Sequence, residues 1–296
     1  MSDTKPWYMK EYKEMLAVGA EKRLLGKVER VLLQSSEKRN QQRDTAHLHP
    51  SEMAKENWCP RQSYFKMTDM EVSDPESFSF QRLNIFEEGH YIHAKWQDWM
   101  HQTGILVGFW KCNRCGDKWW AKSPDRCPAC FEQDFRYAEV PLSNEEYHIL
   151  GHADGQIEDD QGEALVELKS VGLGTIRFDA PALYKAYETG DIKLDELWKR
   201  IKRPLASHNR QIQIYMFCKN IHNAVVIYEW KPTQEVKEFA LKYDPSVVKP
   251  LLEGAKSILE AIKDDMPPVK PASATSTSCA TCKFCPFKSK CWSLNV

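Results

Sequence analysis

Apolar positions between residues 1 and 45 recur at helical spacing. Met15, Leu16, Leu24, Leu25, Val28, Val31 and Leu32 fall on one side of a 3.6-residue repeat, with Lys, Arg and Glu between them. The pattern predicts an amphipathic helix or helical pair whose charged side faces water. "HPSEMAKENWCPRQSYF" predicts a short helix capped by Ser51, a turn at Cys59 and a second helix. "FQRLNIFEEGHYIHAKWQDWMHQTG" predicts a long helix ending near Gly104. The period then changes: "YHILGHADGQIED" and "EALVELKSV" predict two strands joined through "DDQGE", a hairpin with Gly162 in its turn. "HNRQIQIYMFCKN" predicts a helix, "NAVVIYEW" a buried strand, and a last amphipathic helix spans about Pro245 to Asp264. "MPPVKPASATSTS" follows as an extended connector. The order helix, strand, strand, helix, strand predicts an α/β core.

Length and charge narrow this picture only a little. A chain of 296 residues can bury a sizeable core as one elaborated domain or a domain with a small satellite. The formal net charge of -1 excludes a globally basic nucleic-acid binder, so any DNA-facing positive charge has to be local. No run of about 18 apolar residues occurs, and "MSDTKPWYMKEYKEM" lacks the apolar centre of a signal peptide. The expectation is a soluble cytoplasmic protein with no membrane partner. In a reduced compartment, ten cysteines with eight in two tight groups point to metal rather than disulfides.

The first group, Cys112, Cys115, Cys127 and Cys130, forms the two knuckles "CNRC" and "CPAC", the spacing of a closed tetrahedral structural Zn²⁺ site. It reads as a zinc ribbon inserted over residues 108–134, interrupting the helix-then-strand order. Stabilising a short insertion is its default role; Trp119 and Trp120 between the knuckles could also stack on DNA bases or dock a protein partner. The second group, "SCATCKFCPFKSKC", carries Cys279, Cys282, Cys285 and Cys291, and four thiolates accept either zinc or an iron–sulfur cluster. Cys218 reads as a small buried hydrophobe.

A third cluster is acidic. Glu167 and Lys169 are two apart on a predicted strand and share a face, with Asp154 late on the preceding strand. Two carboxylates suit Mg²⁺ or Mn²⁺, and a lysine beside bound water can orient it for in-line attack on a phosphodiester. A salt bridge is the plain alternative for such a triplet. The apolar flanks of "LVELKSV" demand a reason for the charges, His93 offers a nitrogen ligand, and Gln211 and Tyr215 share one helical face. His152 and His208 lie near these motifs in supporting or purely structural positions.

Taken in order, Cys59 in "CPRQSYF", Gly89-x-x-x-His93, Asp154 in "GHADG", Glu167-x-Lys169, Gln211-x-x-x-Tyr215 and the terminal cysteines resemble the RecB-like branch of the PD-(D/E)XK nucleases. Within that branch the chain is most similar to the iron–sulfur exonucleases of the Cas-four type and their phage-encoded relatives. The resemblance implies a restriction-endonuclease-like core, a mixed central sheet flanked by helices. It makes residues 1–48 an N-terminal helical segment and residues 49–296 the nuclease domain, with residues 266–296 as connector and terminal cysteine group. His93, Asp154 and Glu167, with the backbone carbonyl of Leu168, would bind Mg²⁺ or Mn²⁺. Lys169 would position the water, and Gln211 and Tyr215 would line the site. Cys59 would join Cys282, Cys285 and Cys291 around a 4Fe–4S cluster, leaving Cys279 as a departure from the pattern. The implied activity is exonucleolytic hydrolysis of single-stranded or frayed DNA ends in DNA processing, recombination or repair. Two other readings fit the same residues: a CRISPR spacer-processing nuclease, and a DNA-binding adaptor with a vestigial core.

Overall fold

The computed structural model describes residues 23–74 and 78–294. The periodicity predicted before residue 23 lies outside them. The described residues form two compact units, residues 23–43 with 78–87 and residues 44–74 with 88–294. The smaller unit contains α1 (Leu25–Gln41), on which Leu24, Leu25, Val28 and Val31 are exposed, and an Arg39–Glu87 ion pair at 2.5 Å.

The larger unit begins with α2 (Pro50–Met53) and α3 (Pro60–Met67). The first starts two residues earlier than an N-cap at Ser51 would set it. Pro50 occupies the first turn, where its fixed φ suits a helix start and its missing N–H costs nothing, and His49 is the N-cap. The long helix α4 (Phe80–Gln102) begins in the smaller unit's sequence and leads to β1 (Leu106–Cys112). Then follow β2 (Lys118–Lys122), β3 (Phe135–Ala138), β4 (Val140–Asn144), β5 (Ile149–Ala153), β6 (Gly155–Asp159) and β7 (Gly162–Val171). Three short helices, α5 (Leu173–Asp179), α6 (Pro181–Glu188) and α7 (Leu194–Arg200), precede α8 (Ala206–Lys219). The chain ends through β8 (Asn223–Trp230), β9 (Val236–Lys242), α9 (Pro245–Lys263) and α10 (Lys288–Ser293). Among these helices none is long and apolar enough to cross a membrane.

The central sheet runs β2-β1-β6-β7-β8-β9, with β3 also paired to β1, while β4 and β5 form a separate two-stranded sheet. β7 and β8 are parallel and the other pairs antiparallel, so the sheet is mixed. The predicted hairpin is present: β6 and β7 pair from Gly155↔Val166 to Asp159↔Gly162, and Gly162 takes φ 101°, a conformation glycine adopts without strain. Helices cover both faces. Trp96 and Met100 of α4 pack on Val166, Leu168 and Ile227. On the other face, Ile212, Tyr215 and Met216 of α8 share the main core with Leu165, Val226 and Tyr228. Alternation along β7 therefore sends Leu168 to α4 and Glu167 and Lys169 to α8.

The ribbon strands are continuous with this sheet. Leu106 and Val107 of β1 pair with β6, and Phe109 to Cys112 of the same edge pair with β3, so one strand serves both core and ribbon. Near the other end, Gly254 of α9 lies so close to Trp58 that a Cβ there would be 2.7 Å from the indole. That contact fixes the residue preceding Cys59.

Candidate active site

The β6–β7 register explains how the carboxylates meet. Gly155 lies opposite Val166, so Asp154, at the bend between β5 and β6, comes beside Glu167. Asp154 is not itself in a strand; the bend turns its carboxylate inward, where Oδ2 accepts the Leu168 N–H at 2.7 Å. Its backbone carbonyl accepts from Gln97 of α4 at 2.8 Å, tying the bend to the helix that carries His93. His93 Nδ1 lies 3.4 Å from Asp154 Oδ1. Lys169 Nζ is 2.5 Å from Glu167 Oε1 and donates to Gln211 Oε1 at 3.3 Å, and Gln211 Nε2 donates to the Tyr215 hydroxyl at 2.6 Å. The structure thus brings together His93, Asp154, Glu167, Leu168, Lys169, Gln211 and Tyr215.

It adds Glu139, which the sequence patterns did not single out. Metal-binding atoms of His93, Glu139 and Asp154 lie within 4.8 Å of one another. Glu139 occupies the joint between β3 and β4, two strands that the apolar pattern did not predict, and no spacing marked it. His152 is exposed on β5 and is outside this group. His208 lies 2.5 Å through Nδ1 from the Tyr228 hydroxyl, which also accepts the Leu205 N–H at 2.8 Å, a structural arrangement beneath the site.

The electrostatics fit a divalent cation. Glu167 is fully buried, and the Lys169 ammonium 2.5 Å from its Oε1 is its charge partner. Burial raises the Asp154 carboxyl to about 7, against the pull of Lys169 and the Leu168 N–H. Burial, then the Asp154 charge, raises Glu167 to about 7. Burial pulls Lys169 down, but Glu167 and Asp154 more than offset it and hold its ammonium charged. Burial lowers His93 and favours the neutral imidazole that a metal needs. Carboxylates held apart from water with one ammonium between them leave negative charge uncompensated, and oxygen donors with one imidazole suit Mg²⁺ or Mn²⁺.

The first cysteine group forms a different kind of centre. Cys112, Cys115, Cys127 and Cys130 lie within 4.8 Å, with Cys112–Cys130 at 3.5 Å and Cys115–Cys127 at 3.7 Å. A tetrahedron of thiolates at a Zn–S distance of about 2.3 Å has edges of about 3.8 Å, so the thiols match a single ion. The Cys115 backbone N–H points at Cys112 Sγ and lowers that thiol to about 7.

The terminal cysteines are arranged otherwise. Among the described residues they belong to no group with metal-binding atoms within 4.8 Å. Instead Cys59, Cys282, Cys285 and Cys291 line one small cavity of about 20 Å³, and Cys279 does not line it. Arg61, Lys270 and Lys288 also face this cavity; Arg61 is fully buried, with Nε and one terminal nitrogen lacking partners.

No protein-family model and no curated protein matches the chain. Among solved structures it is similar to SSO0001, at 12% identity over 88% of this chain and 94% of that one, with a TM-score of 0.44. It is also similar to LHK-Exo, an alkaline exonuclease from Laribacter hongkongensis, at 11% identity over 74% of this chain and 89% of that one, with a TM-score of 0.40. The structure of LHK-Exo in complex with dAMP gives the same identity and coverage and a TM-score of 0.42.

Proposed function

We propose that this chain is a divalent-metal-dependent deoxyribonuclease of the PD-(D/E)XK type, an exonuclease acting on single-stranded or frayed DNA ends. What supports this reading is the convergence of buried Asp154 and Glu167 with Lys169, beside the His93 and Glu139 donors. His93, Glu139, Asp154 and Glu167, with the Leu168 carbonyl, would hold Mg²⁺ or Mn²⁺. When bound, the ion supplies Lewis acidity toward the scissile phosphate and makes water a competent nucleophile near neutral pH. Lys169, fixed by Glu167 and Gln211, orients the attacking water in line with the leaving oxygen. Tyr215 sets the Gln211 amide so that its carbonyl faces Lys169. The Asp154 carboxylate is itself aimed by the Leu168 N–H, and Gln97 holds the backbone of its bend.

The two cysteine groups support that centre. Cys112, Cys115, Cys127 and Cys130 would hold Zn²⁺ and fix the ribbon strands. Cys59, Cys282, Cys285 and Cys291 would hold a 4Fe–4S cluster that joins the start of the domain to its last segment. Lys169→Ala and Asp154→Ala are each expected to lower Mn²⁺- or Mg²⁺-dependent degradation of end-labelled DNA at least about a hundredfold, with unchanged circular dichroism. Undiminished degradation by both variants would sink the assignment.

A further inference from the structure

The ribbon carries a row of positive charge that its own fold does not neutralise. Lys111 of β1 stands directly opposite Lys118 of β2 on one side and Arg136 of β3 on the other. Directly opposed like charges destabilise a sheet, and strands about 4.8 Å apart crowd these three cations into about 10 Å. None of the three has an acidic partner among the described residues. Three nearby carboxylates are engaged elsewhere: Glu132 with Arg114, Asp134 with the Asn113 amide, and Glu158 with Lys122.

The next row on the same face is aromatic. Phe109 opposes Trp120 on one side and Ala138 on the other, and the two rings meet edge to face at 5.0 Å. Trp120 is 45% exposed. Its neighbour Trp119 points to the opposite face, packed edge to face on Phe135 at 5.7 Å, in the aromatic cluster of Trp110, Tyr137 and His101.

The register also relates this face to the candidate active site. Val107 opposes Gln156, and Gln156 opposes Leu165. Residues directly opposed across an antiparallel pair share a face, as do residues two apart on one strand. Lys111, Phe109 and Val107 therefore lie on the face of the continuous sheet that bears Leu165, Glu167 and Lys169.

We infer that this face of the ribbon is a binding platform for single-stranded DNA, with Lys111, Lys118 and Arg136 on phosphates and Trp120 stacked on a base. Single-stranded nucleic acid is the partner whose chemistry matches both rows: repeated negative charge relieves the opposed cations, and an unstacked base covers an exposed indole. The inference rests on the proposed nuclease function only in making the bound strand the one that reaches Lys169.

Fluorescence anisotropy with a labelled oligothymidylate tests it, using full-length Lys169→Ala protein so that the probe stays intact. Trp120→Ala is expected to weaken binding about 5- to 100-fold. The combined Lys111→Gln, Lys118→Gln, Arg136→Gln variant is expected to reduce the slope of log affinity against log salt by about 2, at about 0.7 per lost phosphate contact. Arg136→Gln alone, on the outer strand, should reduce it by about 0.7. One zinc per chain in each variant reports an intact ribbon. Wild-type affinity and salt slope in zinc-loaded Trp120→Ala and Arg136→Gln proteins would overturn the platform and leave the face to a protein partner. Parallel assays of otherwise wild-type protein for Mn²⁺-dependent cleavage separate the two claims. Cleavage with unaltered binding in the ribbon variants removes the platform alone; ribbon-dependent binding without cleavage removes the nuclease reading alone.

Discussion

The carboxylate centre and the cysteine ribbon both gather metal-binding atoms within 4.8 Å, yet they are built in opposite ways. The ribbon takes its four thiols from one short stretch, Cys112 to Cys130, and the turn after β1 already aims a backbone N–H at Cys112. All four donors are soft and would complete a tetrahedron around one ion, leaving no position for water or substrate. The carboxylate centre draws these atoms from His93 on α4, Glu139 at the β3–β4 joint and Asp154 at the β5–β6 bend, with Glu167 of β7 nearby, so it exists only when the whole larger unit is folded. Its donors are hard, and a lysine stands beside them. Local thiolates brace a fold, whereas dispersed carboxylates with open coordination serve a reaction.

The largest expected effect separates these roles. Asp154→Asn should remove at least about a hundredfold of the metal-dependent cleavage while leaving one zinc per chain. Cys115→Ser should do the reverse, losing zinc and exposing the ribbon to protease while short oligonucleotides are still cut. Metal analysis and cleavage on the same preparations check the pair, and equal loss of both properties in both variants would erase the distinction.

The terminal cavity sharpens the comparison, because it combines thiolate donors with a dispersed origin. Cys59→Ala should lose the absorption near 400 nm and most of the iron, and should lower the unfolding temperature, since the ligands join distant parts of the chain. Cys279→Ala should retain iron and stability. The reverse result would make the tail a self-contained site.

Smaller effects are expected at the edges of each centre. Glu139→Gln, at an exposed ligand position, should weaken Mn²⁺ binding about tenfold and leave folding intact, as read by metal titration. Gly254→Ala should cost about 1–3 kcal/mol by pushing on Trp58, read by chemical denaturation, without changing zinc content. A Gly254→Ala protein as stable as wild type would show that the segment leading to Cys59 yields freely.

Much of this was legible in the residues. The strand at "EALVELKSV" and the helix at "HNRQIQIYMFCKN" follow from apolar pattern and length, and hairpin register alone brings Asp154 to Glu167. The cysteine spacing announced the four clustered thiols of the ribbon. Glu139 escaped because β3 and β4 are only four and five residues long and Pro141 demotes the second as a strand signal. β1 could not be seen as shared, since its "LVGFWKC" reads the same whether it pairs with β2, β3 or β6. Trp119 and Trp120 look equivalent as neighbours, and strand alternation sends one into an aromatic cluster and the other toward solvent.

The central claim is that the buried carboxylates are completed by a divalent cation. Electron paramagnetic resonance of free Mn²⁺ during titration of zinc-loaded protein tests it most directly. Saturable Mn²⁺ binding is expected in wild type and is removed by Asp154→Asn with Glu167→Gln, and Mn²⁺ should raise the unfolding temperature of wild type alone. Identical Mn²⁺ binding by wild type and the double variant would contradict it.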